Sequence, residues 1–173
     1  MGCGSGAIGL ALLKNLNKNI FLTGVDITDS AIKYSQMNAE NNNIINCNFI
    51  KSDIYENLNN TEKFDIIFSS VPFFNYEYCV LEDSFKDIRN LKKIFTPLTS
   101  FCVGNDSNED VLLEKVIKHG LNFLKNNGYL YLWIGSNEQK ERMINLLNNL
   151  NYKNIEYLEE ESGIFIKAQN NYF

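Results

Sequence analysis

The sequence predicts an α/β fold, a doubly wound and mostly parallel sheet with one antiparallel hairpin at its end, and three observations carry that expectation. Apolar runs of strand length alternate with helical patterns along the chain, and two strands follow one another only at the end. A glycine-rich run, Gly2-Cys3-Gly4-Ser5-Gly6, leads straight into a small apolar helix. Asp26 and Asp53 each close a strand, at the end where open α/β sheets hold their ligands.

In chain order, Ala7 to Leu13 has the pattern of a buried helix that ends between Asn15 and Asn19. Ile20 to Val25 reads as a strand closed by Asp26. Thr28 or Asp29 caps a second helix, in which Ala31, Ile32, Ser35 and Ala39 recur near helical spacing until Asn41-Asn42-Asn43 stops it. Strands follow at Asn48 to Lys51 and Phe64 to Ser69. From Phe74 to about Asn105 no clean period is visible, and Asp83 to Phe95 is the one stretch there that suggests a helix. Leu113, Ile117, Leu121 and Leu124 predict a helix from about Asn108 to Lys125, stopped by Asn126-Asn127-Gly128. Tyr129 to Ile134 is the strongest strand. A helix from Glu138 to Leu150 and short strands near Asn154 to Leu158 and Gly163 to Lys167 complete the chain.

The 173 residues are expected to form one domain, residues 1–173, with a core of its own. A hydrophobic share of 45% beside 21% charged residues is the mix of a globular protein and not of a disordered one. The net charge of -5 argues against a partner held mainly through phosphates, nucleic acid included. The cluster Lys86, Arg89, Lys92 and Lys93 reads as a solvated helix face. With no membrane-spanning run and no signal-peptide pattern, no membrane contact and a cytoplasmic location are expected. Cys3, Cys47, Cys79 and Cys102 lack the spacing of a metal or redox site, so they are read as reduced thiols and no metal is expected. The many asparagines fall where loops and helix ends belong and are given no chemistry.

A strand-to-helix turn needs glycine where φ is positive and where a ligand approaches the backbone, and Gly2, Gly4 and Gly6 meet that need. Gly4-Ser5-Gly6-Ala7-Ile8-Gly9 also satisfies GxGxxG, with Asp26 where the ribose-binding acid of a dinucleotide site belongs. The glycines alone therefore leave a nicotinamide cofactor and an adenosyl cofactor both open. Asp26 can accept two ribose hydroxyls and Asp53 suits an adenine amino group.

The segments GCGSGAIGLALL, GVDITDSAIKYSQMNAE, SDIYENL, FDIIFSSVPF and LNFLKNNGYLYLWIG, in that order, resemble class I S-adenosylmethionine-dependent methyltransferases. They are most similar to the HemK-like branch that methylates the glutamine side-chain amide of peptide-chain release factors. The resemblance implies a Rossmann-like sheet of seven strands with an antiparallel last strand. S-adenosylmethionine is the implied cofactor, held by Gly2, Cys3, Gly4, Ser5, Gly6, Asp26, Ile27, Asp53, Ile54 and Ser69, with Ile54 near the adenine. A protein substrate, a peptide-chain release factor, is implied with it.

In that family the fourth strand ends in Asn-Pro-Pro-Tyr. The Asn carbonyl and the next backbone carbonyl accept both hydrogens of a planar NH2 group, and the ring stacks on its plane. Such positioning is most of what the protein must supply when the methyl donor is already activated. Here the four positions are Ser70, Val71, Pro72 and Phe73, the expected catalytic set. Phe73 keeps the stacking surface and the Val71 carbonyl needs no particular side chain, but Ser70 puts a shorter hydroxyl in place of an amide. Three outcomes stay open: an amide or amine held less tightly, a different nucleophile, or a cofactor-binding subunit without efficient turnover. A base amine of a nucleic acid or a small molecule is the alternative acceptor. A nicotinamide-dependent oxidoreductase is the alternative class, although no His-Asp pair or Tyr-x-x-x-Lys is present to serve a hydride.

The stretch from Phe74 to Gly104 is expected to cover this pocket, with Tyr76, Tyr78, Phe85 and Phe95 as lining, while His119 is given no catalytic role. Only Met1 precedes the glycine run, so the strand that ordinarily leads into it is expected to be missing. A sheet weak at its centre and weak cofactor binding follow from that expectation.

Overall fold

Residues 1–16, 19–74, 100, 102–103, 108–161 and 163–171 are described by a computed structural model, and they divide into two units, Met1–Glu62 and Lys63–Phe173. The first unit runs α1 (Ala7–Asn15), β1 (Leu22–Asp26), α2 (Asp29–Asn41) and β2 (Cys47–Lys51). β1 and β2 pair in parallel, Leu22 opposite Cys47 and Asp26 opposite Lys51, the pairing that a helical crossover permits. Thr28 caps α2 by accepting from Ala31 N–H at 3.3 Å, and Asp29 places negative charge in its first turn. The helix stops where Asn43 takes φ 56°, a left-handed turn after which Ile44 N–H donates back to Ala39 O at 2.9 Å. Leu10, Ala39 and Phe49 form the core, with Leu22, Ile32 and Cys47 packed against it. The expectation of a buried α1 needs correction, because Leu10 is its one buried residue while Ile8 is 51% and Leu12 49% exposed. Apolar residues lie all around this helix, more than one packed face can cover.

The second unit runs β3 (Phe64–Ser69), α3 (Val111–Gly120), β4 (Leu124–Ile134), α4 (Asn137–Asn149), β5 (Lys153–Glu160) and β6 (Gly163–Gln169). Its sheet has the order β3-β4-β6-β5. β3 and β4 are parallel, and β6 runs antiparallel to both of its neighbours, so it alone opposes the direction the other three share. This is the terminal antiparallel hairpin the sequence predicts. Among the described residues the strands form two sheets, of two and of four, where the resemblance implies one sheet of seven. Along β4, Leu130, Leu132 and Ile134 are wholly buried while Tyr129, Tyr131 and Trp133 are half-buried, the period-two pattern of a sheet with one covered face. Leu113, Val116 and Ile117 of α3, Met143 and Leu147 of α4, and Ile166 of β6 complete this core, each fully buried apolar side chain contributing about 2 kcal/mol.

The predicted helix over Asn108 to Lys125 is shorter in the structure. α3 ends at Gly120, and Leu124, which the leucine spacing assigns to the helix, opens β4 opposite Phe64. Phe64 N–H donates to Phe123 O at 2.7 Å, so ladder pairing takes over at the residues that helical spacing also fits. The register then shifts across Asn126-Asn127-Gly128, with Asn127 at φ 64°. Cys102 is disulfide-bonded and Cys3 and Cys47 are free, which corrects the expectation of four reduced thiols. The expected helix over Asp83 to Phe95, the lining candidates Tyr76, Tyr78, Phe85 and Phe95, and the cluster Lys86, Arg89, Lys92 and Lys93 lie outside the described residues. No helix among the described residues is long and apolar enough to cross a membrane.

Candidate functional site

In the first unit Gly2, Gly4 and Gly6 have φ of 65°, 54° and 78°, a region that costs an L side chain about 1–2 kcal/mol. Cys3 N–H donates to Val25 O and Gly6 N–H to Cys3 O, at 2.9 and 2.8 Å, which holds the loop against β1. A Cβ on Gly6 would stand 3.0 Å from Ser35 Cβ and 3.3 Å from Phe49 Cζ, whereas one on Gly4 would meet nothing within 4 Å. Packing and φ together require glycine at 6; φ alone requires it at 4, and the space beside it is open. Gly6 is also the N-cap of α1 and supplies no side-chain bond to its first-turn amides. Ser5 is exposed, and its carbonyl accepts from Asn38 Nδ2 at 2.9 Å. Burial, with the Asp26 charge adding to it, pushes the Cys3 thiol up to about 11.

Asp26 is already engaged. Its Oδ2 accepts from Gly4 N–H at 2.9 Å, and its Oδ1 accepts from both Thr28 N–H and Thr28 Oγ1 at 3.0 Å. Three of the carboxylate's roughly four acceptor directions are therefore in use. Ser52 N–H donates to Asp26 O at 2.9 Å, so the ends of β1 and β2 lie side by side and Asp53 follows directly. The turn beyond is capped by Ser52, whose hydroxyl accepts from Asn57 N–H at 3.0 Å, while Asp53 lends its backbone carbonyl to Glu56 N–H. Ile54 is buried at φ 52°, a conformation that costs a β-branched residue on the order of 1–3 kcal/mol. Ile27 is 61% exposed.

In the second unit Ser69 ends β3 fully buried, and its hydroxyl has no hydrogen-bond partner among the described residues. Next in the chain, Ser70, Val71, Pro72 and Phe73 line one cavity of about 520 Å³, shared with Phe74, Trp133, the Gly135-Ser136-Asn137 turn and Glu159, Glu160 and Glu161 of the β5–β6 hairpin. Phe73 meets Trp133 edge-on at 5.7 Å and Phe74 at 4.7 Å. A Cβ on Gly135 would stand 2.7 Å from the Phe73 ring, so glycine there makes room for it.

Sequence reasoning misses Gln139. From the first turn of α4, and only 2% exposed, it donates Nε2 to Asp110 Oδ1 at 2.8 Å and to Phe73 O at 3.4 Å. Its Oε1 accepts from Gly135 N–H at 3.0 Å. One amide thus ties the turn after β4 to the backbone of Phe73. Arg142 in turn clamps Asp110 through Nε and Nη2 and reaches Glu109 at 2.6 Å, and the Asp110 contact raises its pKa. A signal was present: Ser136-x-x-Gln139 is a capping-box spelling, and Ser136 Oγ does accept from Gln139 N–H at 3.2 Å. The acids of the hairpin were not singled out either, since a short acidic run reads as solvated surface. His119 is exposed and does not line the cavity.

Residues 1–167 match a family model described as a methyltransferase domain. A release factor glutamine methyltransferase of Fusobacterium nucleatum is 29% identical over 94% of this chain and 43% of its own. One of Buchnera aphidicola is 32% identical over 94% and 54%. A protein named as an N5-glutamine methyltransferase in Methanocaldococcus jannaschii is 31% identical over 88% and 68%. The chain spans about half the length of the first two relatives. Among solved structures, a methyltransferase from Pyrococcus furiosus matches with TM-score 0.69 and 16% identity, over 99% of this chain and 73% of that one. An O-methyltransferase from Thermotoga maritima matches with TM-score 0.69 and 15% identity, over 100% and 58%. At those identities the likeness is one of fold.

Proposed function

The chain belongs to the methyltransferase-domain family, among the release factor glutamine methyltransferases, and from that premise we propose that it moves a methyl group from S-adenosylmethionine to a glutamine side-chain amide of a protein, a peptide-chain release factor. One observation supports the acceptor side most directly. Ser70, Val71, Pro72 and Phe73, the four positions that match the family's Asn-Pro-Pro-Tyr, line a single cavity. The Ser70 hydroxyl and the Val71 carbonyl accept the two amide hydrogens, and the Phe73 ring offers a plane for the amide to lie on. As the nitrogen gains the methyl it gives up one of those hydrogens as a proton, which passes on to solvent, and the donor would leave as the neutral thioether S-adenosylhomocysteine.

The residues of the first unit fit an adenosyl cofactor. Gly4 keeps an open side where a Cβ would stand, the first turn of α1 has no side-chain cap, and Asp26 and Asp53 follow adjacent strand ends. Asp26 would take ribose hydroxyls by releasing Gly4 or Thr28, and Ile54 would stand near the adenine. Gly2, Cys3, Ser5, Gly6 and Ile27 complete the proposed set in this unit; Ser69, which the resemblance also implies, belongs to the second unit. S-adenosylmethionine supplies a methyl group already activated on a sulfonium, so the protein's part is alignment and exclusion of water. The nicotinamide alternative rested on glycine spacing and loses its ground with the family match. A cytoplasmic location belongs to the same proposal.

Incubation with methyl-labelled S-adenosylmethionine and a release factor, followed by mass spectrometry of its peptides, tests this reading. One added methyl on a glutamine is expected. Label that enters only RNA or small molecules would overturn the acceptor, and tighter binding of NAD than of S-adenosylhomocysteine would overturn the cofactor.

A further inference from the structure

The cavity beyond β3 has an uneven wall. Its floor is aromatic, from Phe73, Phe74 and Trp133, and one rim is the hairpin run Glu159-Glu160-Glu161. Among the described residues three carboxylates and no lysine or arginine line it. Lys140, which lies outside the lining, neutralises Glu159 at 2.8 Å, but among the described residues no ion pair reaches Glu160 or Glu161, and both are exposed. The hairpin is fixed in place. At φ 136°, Gly163 sits where a Cβ would fall 2.3 Å from Trp133 Nε1, so the strand that follows the acids lies tight against the aromatic wall. An apolar floor under a rim with two acids left without an ion pair among the described residues matches one kind of side chain, a long aliphatic stem with a positive head. The same unit already places ammonium groups over rings, with Lys140 Nζ 4.4 Å from the Tyr157 centroid and Lys167 Nζ 5.1 Å from that of Tyr129.

We propose that this cavity docks a lysine- or arginine-bearing segment of the protein acceptor, the stem lying on Phe74 and Trp133 and the cation between Glu160 and Glu161, so that the chain selects glutamines with basic neighbours. The inference rests on the reading of Ser70 to Phe73 as the acceptor end. It adds a charge preference that this reading does not contain.

Short fluorescent peptides with a central glutamine, flanked by lysines, by norleucines or by glutamates, are titrated against the full chain and followed by anisotropy. The lysine peptide should bind about tenfold more tightly than the norleucine peptide, the worth of two partly exposed pairs, and high salt should shrink the gap. E160Q/E161Q should reduce the gap to about twofold or less, and E160K/E161K should turn the preference toward the glutamate peptide. Both changes lie on exposed side chains, and circular dichroism confirms that the fold is kept. Equal binding of lysine and norleucine peptides, a gap that survives E160Q/E161Q, or no binding of any peptide would overturn the proposal. Because the readout is binding, the two readings fail separately. A lysine preference without methyl transfer leaves docking standing and removes the activity, whereas transfer to glutamine that ignores Glu160 and Glu161 removes docking alone.

Discussion

Replacing Gln139 with Leu should cost the second unit about 2–3 kcal/mol, nearly all of it polar. The two side chains are similar in volume, so little of the cost comes from an empty space. The bond to Asp110, at 2.8 Å and to an ionised acceptor, accounts for about 1.5–3 kcal/mol. The bond from Gly135 N–H adds about 1 kcal/mol, part of which water restores because Gly135 is exposed. The 3.4 Å contact to Phe73 O lies beyond the usual range and adds little to stability. Asp110 keeps Arg142 in the variant, so no carboxylate is left alone. For a chain of this length the loss lowers Tm by about 5–10 °C. Trp133, the single tryptophan, rests against Phe73 and reports the transition by its fluorescence. A double-mutant cycle with Asp110→Asn should show a coupling of about 1–2 kcal/mol. A loss under about 1 kcal/mol, or full additivity with Asp110→Asn, refutes the assignment of Gln139 as the amide that joins the turn after β4 to Asp110.

Gly6→Ala, which meets Ser35, Leu10 and Phe49 as well as an unfavourable φ, should cost about 2–4 kcal/mol in urea unfolding. Gly4→Ala, in open space, should cost only about 1–2 kcal/mol yet weaken S-adenosylhomocysteine at least tenfold by calorimetry; unchanged affinity would separate Gly4 from the cofactor. Ser70→Asn should raise kcat/KM for glutamine methylation by about tenfold, the worth of one better-placed hydrogen bond, and no change would remove Ser70 from the account. Cys3 at pH 8 should react with iodoacetamide about a hundredfold more slowly in the folded chain than in urea, because its pKa rises from 9.0 to about 11. A folded-state pKa above the unfolded one binds the proton more tightly, so the Cys3 contribution to stability is full below pH 9 and is lost as pH climbs through about 11. Equal alkylation rates would show that the thiol is not desolvated.

Regular elements were legible where one periodicity acted alone. Thr28, Asp29 and the Asn41-Asn42-Asn43 run bracket α2 nearly to the residue, because a side-chain cap and a left-handed stop are both local chemistry. Leu121 and Leu124 misled because helix and strand both bury apolar residues, and only the partner strand, beginning at Phe64, decides between them. The asparagines, given no chemistry from sequence, hold four of the five positive φ angles outside glycine among the described residues: Asn43, Asn127, Asn151 and Asn154. Their side chains tolerate the left-handed region that tight turns need, so their abundance has a backbone role. At the candidate site the positive φ of the glycine run was legible, since three glycines in five residues mark a turn where a side chain would be strained. Gln139 was not, because two of its three partners, Phe73 and Asp110, lie 66 and 29 residues away in the sequence, and only the folded chain sets them with Gly135 around one amide.

The place of β6 in the sheet bears on how the chain is made. It is the last strand among the described residues to leave a ribosome, yet it lies inside the sheet, between β4 and β5, and Asn170 just beyond it reaches back to Leu124 and Lys125 at the start of β4. Until that segment emerges, β4 has one neighbour where it will have two, and its second edge carries unpaired backbone groups open to any passing strand. Ordering of this unit is therefore a late event in translation, and a stalled or clipped product lacking the final strand would exist as an adhesive intermediate and not as a smaller working enzyme.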